Sequence, residues 1–413
     1  MLPLDRARSG AFPRAATEEV ARDRRGEPLP SVPLHRRYRA RRELAYLGEV
    51  LVSGQLVGDG AFTDRCHRML RRAVGGRETL LTGSCTTALE MAALLCREPR
   101  NGGGGGDEPP EVIVPGFTFV STANAFVLHG FRPVFADVLP ETGNLDPAEV
   151  ARRITPRTRA VVAVHYAGVP CAIDALRELA DAHGLWLVED AAHALYASYG
   201  GRPVGALGDL ATLSFHDTKN LSCGEGGALV FDEARFGDRP RMLRQKGTNR
   251  DAFLRKEVST YDWVDVGGSY LPSELQAAVL LAQLEDAPRI QAKRRGIHRA
   301  YLEALAPLAN RGLLELPCIP DGVESAHHLF AIRLPDRRLR DELSAHLRAR
   351  NIGAVFHYLP LHLSPFGQRF GEGPGSLPEV EGWSARVLRL PLHPSLSAAE
   401  LDRVVEAIAA FFG

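Results

Sequence analysis

The chain has 413 residues, of which 45% are hydrophobic, and its 50 basic side chains balance its 50 acidic ones. Such a chain is long enough for a globular protein with two or three lobes. The neutral balance, and the lack of a basic stripe with interleaved aromatic residues beyond the N-terminal segment, argue against a nucleic-acid partner. Because no apolar run reaches membrane-spanning length and no secretory signal is recognisable, we expect no membrane association and a cytoplasmic location.

The cysteines indicate neither a metal site nor a disulfide framework. No C-x-x-C pair occurs, so no zinc site is predicted and we expect no bound metal. We expect reduced thiols that mostly serve packing at Cys66, Cys85, Cys96, Cys171, Cys223 and Cys318.

Two segments have the composition of flexible chain. Residues 1–38 carry repeated Arg, Pro and Ala without a sustained apolar period, which predicts a mobile, solvated arm rather than an RNA-binding tail. The five consecutive glycines at 102–106 predict a flexible loop. A helical pattern from Leu44 begins the ordered protein, which we divide into a large domain over 39–285 and a small domain over 286–413.

A short strand followed by small hydroxyl residues predicts an anion site. The residues Gly83-Ser84-Cys85-Thr86-Thr87 lead from this strand into an apolar helix that reaches Cys96. Free backbone N–H groups and the positive end of the helix dipole attract a phosphate, and small side chains let it approach closely. An ordinary Ser/Thr helix cap explains these residues equally well when they are considered alone.

Four short apolar runs predict a buried, largely parallel sheet. Several of them are β-branched and helical patterns such as 172–184 separate some of them, which indicates an α/β fold. In such sheets ligands bind just beyond the carboxyl ends of the strands. The four runs are 112–114, 133–136, 160–164 and 185–188.

Candidate ligand-binding side chains follow these strands. Asp190 comes after an apolar run, where a carboxylate is costly unless it meets a cation or a protonated ring nitrogen. It could also cap the helix that follows. Phe119 is placed either to cover a flat ring or to pack in the core. His193, considered alone, is more typical of a hydrogen-bonded core histidine.

Lysine is rare in this chain, and one lysine lies in a turn between two predicted strands. Only Lys219, Lys246, Lys256 and Lys293 occur among the 50 basic residues. An ε-amine can lose its proton and form an imine with an aldehyde, whereas a guanidinium cannot. Lys219 follows the apolar strand that delivers Ser214 and precedes a glycine cluster, so we favour a catalytic lysine over a surface lysine.

The last third of the chain predicts a connection to a separate lobe. A capped helix starts at Ser273, and long helical patterns continue to about residue 311. The lobe that follows is predicted to contain a strand over 327–332, a helix over 337–350 and a final helix over 398–412.

A phosphate site, a strand-end carboxylate, an aromatic cover and an imine-forming lysine are the parts that a pyridoxal 5′-phosphate site needs. Lys219 would hold the aldehyde of the cofactor as a Schiff base. Asp190 would keep the pyridine nitrogen protonated, so that the ring can act as an electron sink.

From about Leu44 to the end, the sequence resembles the sugar-nucleotide aminotransferases of the DegT/DnrJ/StrS type. The resemblance implies the aspartate aminotransferase fold (fold type I), with a mostly parallel, mixed seven-stranded sheet and a smaller C-terminal α/β domain. It is strongest to the branch that aminates TDP-4-keto-6-deoxyhexoses at C4. It implies L-glutamate as the amino donor, a pyridoxamine 5′-phosphate form during turnover, and a product for deoxyaminosugar biosynthesis.

The resemblance also implies individual roles. Thr86 and Thr87, beside Cys85, match the phosphate contacts, and Ser214 matches a further one. Asn249 would reach the cofactor phosphate of the neighbouring subunit, which implies a homodimer with shared active sites. The other matches are Phe119 as the ring-stacking aromatic, Asp190 at the pyridine nitrogen, His193 near the ring hydroxyl, Lys219 as the cofactor lysine, and Arg250, His327, His357 and His362 towards the sugar nucleotide.

The sequence departs from the family pattern in two places, and other functions stay open. Many members have Asn-x-Arg where this chain has Ser269-Tyr270-Leu271, as in the C4 branch, which removes a substrate-binding arginine. The N-terminal arm and the glycine loop have no counterpart that we recognise. The alternatives are a sugar-nucleotide 3-aminotransferase, a cofactor-binding dehydratase or regulatory homologue, and a nucleic-acid-binding module. Dehydrating relatives replace the lysine with histidine, so Lys219 argues against a dehydratase.

Overall fold

The computed structural model describes residues 30–101 and 108–413. Its strands are β1 (Glu78–Thr82), β2 (Glu111–Pro115), β3 (Arg132–Ala136), β4 (Thr158–Val164), β5 (Trp186–Asp190), β6 (Ser198–Tyr199), β7 (Arg202–Pro203), β8 (Leu210–Ser214), β9 (Gly227–Phe231), β10 (Val323–Glu324), β11 (Phe330–Arg333) and β12 (Val387–Leu390). Its α-helices are α1 (Glu43–Ser53), α2 (Ala61–Ala73), α3 (Cys85–Cys96), α4 (Val120–Leu128), α5 (Pro147–Arg153), α6 (Ile173–His183), α7 (Glu233–Phe236), α8 (Arg239–Arg244), α9 (Arg250–Leu254), α10 (Glu274–Glu285), α11 (Ala287–Asn310), α12 (Arg337–Arg348), α13 (Pro378–Arg386) and α14 (Ala398–Phe412).

Seven of these strands form one mixed sheet, in the order β1-β9-β8-β5-β4-β2-β3. The strands from β8 to β3 are parallel to their neighbours, whereas β9 runs antiparallel to both β8 and β1. The α/β class and the mostly parallel seven-stranded sheet are therefore confirmed. The four predicted runs correspond to β2, β3, β4 and β5, although β5 begins at Trp186, one residue after the predicted start.

The sheet is buried on both faces because alternate strand residues enter two different cores. In β4, Val161 and Ala163 pack into one core, and Val162 and Val164 pack into the other. A strand with helices on both faces must be apolar on both, which explains why these sequences read as continuous apolar runs rather than as alternating ones.

The C-terminal lobe has a hydrophobic core of its own. Phe330 and Ile332 of the antiparallel β11–β12 pair pack with Tyr301 of α11 and Val404 of α14. Asp286 is the single residue between α10 and α11, and the division into two domains after residue 285 stays a prediction. The predicted strand over 327–332 is shorter than expected and begins at Phe330.

The described end of the N-terminal segment lies against this lobe. Val32 is fully buried and exchanges backbone hydrogen bonds with Asn351 and Gly353. A Cβ on Gly353 would lie 2.6 Å from the backbone nitrogen of Leu34, so glycine permits the close approach. Val32 is thus held by the lobe, whereas a mobile arm was expected there. The expectations for residues 1–29 and for the glycines at 102–106 lie outside the described residues.

The topology brings several chain segments to one edge of the sheet. β4, β5 and β8 end side by side, with Asp190 paired to Val164 and to Thr212. The turn into α3 follows β1 at the same edge, because Gly227 of β9 is paired with both Thr82 and Ser214. None of the helices that the structure describes is long and apolar enough to cross a membrane.

Candidate active site

A cavity of about 600 Å³ lies where these strands end and extends to the C-terminal lobe. It brings together residues that the sequence spreads over more than 270 positions. The predicted site residues that line it are Cys85, Thr86, Phe119, Asp190, His193, Ser214, Lys219 and His357.

The start of α3 forms an anion cradle in one wall of the cavity. The side chain of Ser84 accepts the backbone N–H of Thr87, and the hydroxyl of Thr87 accepts the backbone N–H of Ser84, as in a capping box. The first turn of a helix has no intrahelical partner for its N–H groups, so those of Cys85 and Thr86 are left for a ligand. The helix cap and the anion site are therefore the same structure.

Gly227 of β9 lies directly against the backbone of this cradle. A Cβ at this position would lie 2.3 Å from the carbonyl carbon of Ser84 and 2.4 Å from the amide nitrogen of Cys85. No side chain fits there without displacing the turn. Because Gly227 has no side chain, β9 can pack against the backbone of Ser84 and Cys85.

Asp190 is a buried carboxylate whose hydrogen bonds come from uncharged groups. It is 5% exposed, it accepts a hydrogen bond of 2.7 Å from the hydroxyl of Thr122, and it accepts one of 3.2 Å from the backbone of Ala192. Thr122 is itself held by Thr118 at 2.9 Å. Among the described residues, no cation forms an ion pair with Asp190, so a protonated ring nitrogen could fill that place.

Lys219 lies in the turn after β8, with its backbone N–H bonded to His216 at 2.9 Å. Burial lowers the pKa of its amine, and the nearby Asp190 carboxylate opposes that shift. A lowered pKa increases the neutral fraction of the amine, which is the form that attacks an aldehyde or accepts a proton. The adjacent Asn220 binds the C-terminal lobe through the carbonyl of Ala326 and the ring of His328, each at 2.8 Å.

A cluster of histidines and tyrosines lines the wall next to Lys219. The rings of His193 and His328 lie 4.2 Å apart, and Nε2 of His193 lies 3.5 Å from the hydroxyl of Tyr358. Burial, reinforced by neighbouring positive charge, holds the pKa of both histidines well below the usual value. Both rings are therefore neutral near pH 7, and Nδ1 of His193 is buried without a partner among the described residues.

Phe119 covers the cavity from its outer side. It precedes the first residue of α4 and is 58% exposed, although it is a large apolar side chain. Its ring lies 6.4 Å from that of Tyr358. A ring that lines a cavity while leaving a face open can stack on a flat ligand.

Five predicted site residues do not line the cavity of the single chain. Thr87 uses its hydroxyl in the helix cap. Asn249 directly precedes α9 and Arg250 is its first residue, and the side-chain amide of Asn249 binds the backbone of Thr260 and Asp262. His362 is fully buried with Nε2 3.3 Å from Glu381, which places it out of reach of a ligand in the cavity.

His327 is also outside the cavity, and its neighbour His328 lines it instead. The backbone of His327 has a left-handed φ of 48°, so the chain turns there rather than continuing as a strand. The ring of His327 packs against His298 at 4.8 Å, while His328 reaches Asn220. A strand pattern assigns neighbouring residues to opposite faces, and this turn shifts which histidine faces the site.

Two further residues that line the cavity, Thr122 and Arg389, were not selected from the sequence. Thr122 lies in the first turn of α4, and its hydroxyl contacts that of Thr118, which precedes the helix. No sequence pattern distinguishes Arg389 from the other arginines, because arginine is the common basic residue of this chain.

The residues of the cavity fit pyridoxal 5′-phosphate. The cradle suits its phosphate, Asp190 suits its ring nitrogen, and Phe119 suits its flat ring. The fold and this cavity define a pyridoxal-phosphate-dependent aminotransferase of fold type I.

The chain belongs to the DegT/DnrJ/EryC1/StrS aminotransferase family, whose model matches residues 38–409. The resemblance seen in the sequence is thereby confirmed, together with the cofactor. The protein is a sugar aminotransferase.

Three similar proteins illustrate this relationship. The spore coat polysaccharide biosynthesis protein SpsC of Bacillus subtilis (strain 168) is 36% identical over 374 residues, which cover 89% of this chain and 93% of that protein. DesV of S. venezuelae, solved in complex with a ketimine intermediate, is 35% identical, covers 89% of this chain and 94% of its own, and has a TM-score of 0.79. DesI, solved in the presence of its TDP-sugar product, is 32% identical, with coverages of 93% and 94% and a TM-score of 0.79.

Proposed function

We propose that this enzyme transfers the amino group of L-glutamate to C4 of a TDP-linked 4-keto-6-deoxyhexose. The observation that carries the proposal is that Lys219 and Asp190 line the same cavity of a sugar aminotransferase. The pKa of Lys219 is lowered, and the buried Asp190 carboxylate forms no ion pair with any described residue. When bound, pyridoxal phosphate supplies an electron sink and carries the amino group between the two substrates.

Each residue of the cavity has a task in this proposal. Lys219 attaches the cofactor, and its Nζ takes the proton from the α-carbon of the donor as a general base. Asp190 holds the proton on the ring nitrogen, and Thr122 fixes the orientation of that carboxylate. His193, as a neutral imidazole, offers a hydrogen bond near the ring hydroxyl.

The size of the cavity supports a substrate whose nucleotide stays outside. A volume of about 600 Å³ can hold the cofactor and the reacting sugar, and we place the nucleotide at the open side of the cavity. The carbonyl carbon then reaches the bound amino group while the diphosphate and the base lie at the surface.

The C4 assignment rests on sequence features, and the TDP-linked substrate is supported by one relative. The residues Ser269-Tyr270-Leu271 and the pattern over 355–362 resemble the C4 branch, and His357 of that pattern lines the cavity. DesI was solved with a TDP-sugar product. Amination at C3 of a 3-keto isomer is the competing possibility within the same family.

The test is a product analysis. The purified enzyme is incubated with nitrogen-labelled L-glutamate and either TDP-4-keto-6-deoxyglucose or its 3-keto isomer, and the product is examined by NMR. We expect label on C4 of the sugar, and little turnover of the free sugar without the nucleotide, because charged hydrogen bonds to the diphosphate outweigh one methyl contact. Exclusive amination of the 3-keto isomer would overturn the C4 assignment.

We further propose that two subunits share each site. Large apolar side chains are exposed on α1 and on the loop after Asn249, including Val52 at 91% and Trp263 at 78%. A partner that covers them would remove an apolar surface of the kind that marks interfaces. The amide nitrogen of Asn249 has one hydrogen left after it binds Thr260, so it can still reach a phosphate of the partner.

Complementation tests this arrangement. A Lys219→Met variant and an Asn249→Asp variant are each expected to be inactive, and the Asp side chain can still accept the backbone N–H of Asp262. Mixing them under conditions where subunits exchange should restore activity, since each mixed dimer has one intact site. If exchange is demonstrated and activity stays absent, the shared site is wrong.

A further inference from the structure

His328 is a cavity histidine whose two ring nitrogens have different surroundings. It lines the active-site cavity and is only 4% exposed. Its Nδ1 lies 2.8 Å from the side-chain oxygen of Asn220, whereas its Nε2 has no hydrogen-bond partner among the described residues. Nε2 is therefore the ring nitrogen that is left for a ligand.

The side chain of Asn220 fixes which nitrogen of His328 carries the hydrogen. Its amide nitrogen faces the backbone carbonyl of Ala326 at 2.8 Å, and a carbonyl can only accept, so the amide oxygen is the atom that faces His328. This oxygen also only accepts, so Nδ1 of His328 donates to it. Burial, followed by neighbouring positive charge, holds the pKa of His328 well below its usual value, and the ring is neutral near pH 7. Nε2 therefore carries a lone pair and accepts a hydrogen bond.

Two neighbouring histidines of the cavity lack such a constraint. Nε2 of His193 lies 3.5 Å from the hydroxyl of Tyr358, and Nδ1 of His357 lies 3.4 Å from the hydroxyl of Tyr166. A tyrosine hydroxyl can donate or accept, so neither contact decides which ring nitrogen is protonated. Among these three histidines, only His328 has its acceptor fixed by a described neighbour.

His328 lies beside the place where the sugar reacts. Its partner Asn220 directly follows Lys219, and the positive charge of Lys219 contributes to the lowered pKa of His328 after burial and His193. In the proposed reaction the ketone carbon must come to the amino group of the cofactor, next to Lys219. The sugar groups one bond away from that carbon are therefore the ones nearest to His328.

The chemistry of the proposed substrate offers one hydrogen-bond donor at that distance. In a 4-keto-6-deoxyhexose, C4 is bonded to C3, which carries a hydroxyl, and to C5, which carries a methyl group and the ring oxygen. Of these groups, only the C3 hydroxyl can donate. The amines of Lys219 and of the amino donor react with the cofactor, whereas this hydroxyl takes no part in the chemistry.

We propose that Nε2 of His328 accepts a hydrogen bond from the sugar hydroxyl next to the ketone, and so selects sugars that carry this hydroxyl. The inference rests on the proposed C4 transamination and adds the residue that reads the substitution at C3. An analogue without the hydroxyl leaves a buried acceptor unpaired, and sites built around such a hydrogen bond reject such analogues strongly. Asn220 is the positioning residue, because it keeps the lone pair on Nε2.

The test measures kcat/KM for TDP-4-keto-6-deoxyglucose and for its 3-deoxy analogue, with L-glutamate as the donor. We expect the wild type to prefer the 3-hydroxy substrate about 100-fold, and His328→Phe to lose most of that preference. Phenylalanine keeps a flat ring beside His193 but has no acceptor. The matched control His183→Phe makes the same change at an exposed histidine in the last turn of α6 and should keep the wild-type preference.

Two further measurements distinguish this role from a merely structural one. Asn220→Asp places a carboxylate beside Nδ1, which raises the pKa of His328 and favours the doubly protonated ring. Nε2 then carries a hydrogen, so the preference for the 3-hydroxy substrate should be lost although the ring is still present. Nitrogen NMR of the histidine-labelled holoenzyme, with His328→Phe to assign the signal, should show a protonated Nδ1 and a bare Nε2 in the wild type. If His328→Phe does not fold, Asn220→Asp decides the same point, and His328→Gln assigns the signal.

The outcomes separate this inference from the proposed function. Equal kcat/KM for the two sugars in the wild type, an unchanged preference in folded His328→Phe, or a protonated Nε2 in the wild type each overturns the inference, while C4 amination stands. If only the 3-keto isomer is aminated, the C4 assignment fails. The comparison then uses the 3-keto sugar and its 4-deoxy analogue, and an unchanged preference in His328→Phe overturns the role of His328.

Discussion

Replacing Gly227 with alanine tests the anion cradle without removing any group that touches a ligand. The new Cβ would lie 2.3 Å from the carbonyl carbon of Ser84 and 2.4 Å from the amide nitrogen of Cys85. Because ordinary carbon contacts begin near 3.4 Å, the turn must move by about 1 Å. A displacement of this size at a positioned group costs about 100-fold, or about 2.7 kcal/mol of binding free energy.

The assay is a titration of the apoenzyme with pyridoxal phosphate, followed by the visible absorbance of the bound cofactor. We expect the dissociation constant of Gly227→Ala to rise about 100-fold, while the variant still unfolds cooperatively. Gly296→Ala is the matched control, because a Cβ there meets no described atom within 4 Å and alanine favours the helix that contains it. A folded Gly227→Ala protein with wild-type affinity for the cofactor would refute the location of the phosphate site.

Three further predictions follow from contacts of the site and the core. Thr122→Val should lower turnover about 10-fold or more, because it removes the 2.7 Å hydrogen bond to Asp190, while circular dichroism stays unchanged. Asp190→Asn should keep the cofactor bound but lose most of the turnover, and full activity would contradict its role. Burial lowers the pKa of His298 to about 3 and that of His393 to about 4, so the unfolded chain binds more protons below about pH 6.5. The free energy of unfolding should therefore decrease as the pH falls from about 6.5 towards 4, and urea denaturation with equal stability across that window would contradict the burial of these two neutral rings.

The sequence predicted the sheet well because its signals are local. The runs over 112–114 and 160–164 are short, apolar and β-branched, and each is buried on both faces in β2 and β4. The helix cap at Ser273 is equally local, and it forms a capping box. Where a tertiary contact decides the conformation, local patterns are insufficient. The left-handed turn at His327 shortens the predicted strand, and the backbone pairing of Val32 holds a segment whose composition indicates mobility.

The same distinction applies to the site. That Lys219, Asp190 and Phe119 would lie near one another could be predicted, because they stand at or after the carboxyl ends of β8, β5 and β2, which topology brings to one edge of the sheet. Arg389 could not, since an arginine within a strand of the small lobe carries no local signal. Only the packing of β12 against the cavity shows that its charge has no partner among the described residues. The histidines predicted to face the substrate also differ, with His357 in the cavity and His362 buried beside Glu381.

The central claim is that Lys219 carries the cofactor, and peptide mapping tests it most directly. Borohydride treatment of the holoenzyme fixes the cofactor on the lysine that holds it, and mass spectrometry of a protease digest locates the label. Since the chain has only four lysines, the result is unambiguous. We expect the label on the peptide that contains Lys219 alone. Label on Lys246, Lys256 or Lys293, or holoenzyme that acquires no label, would contradict the assignment of Lys219.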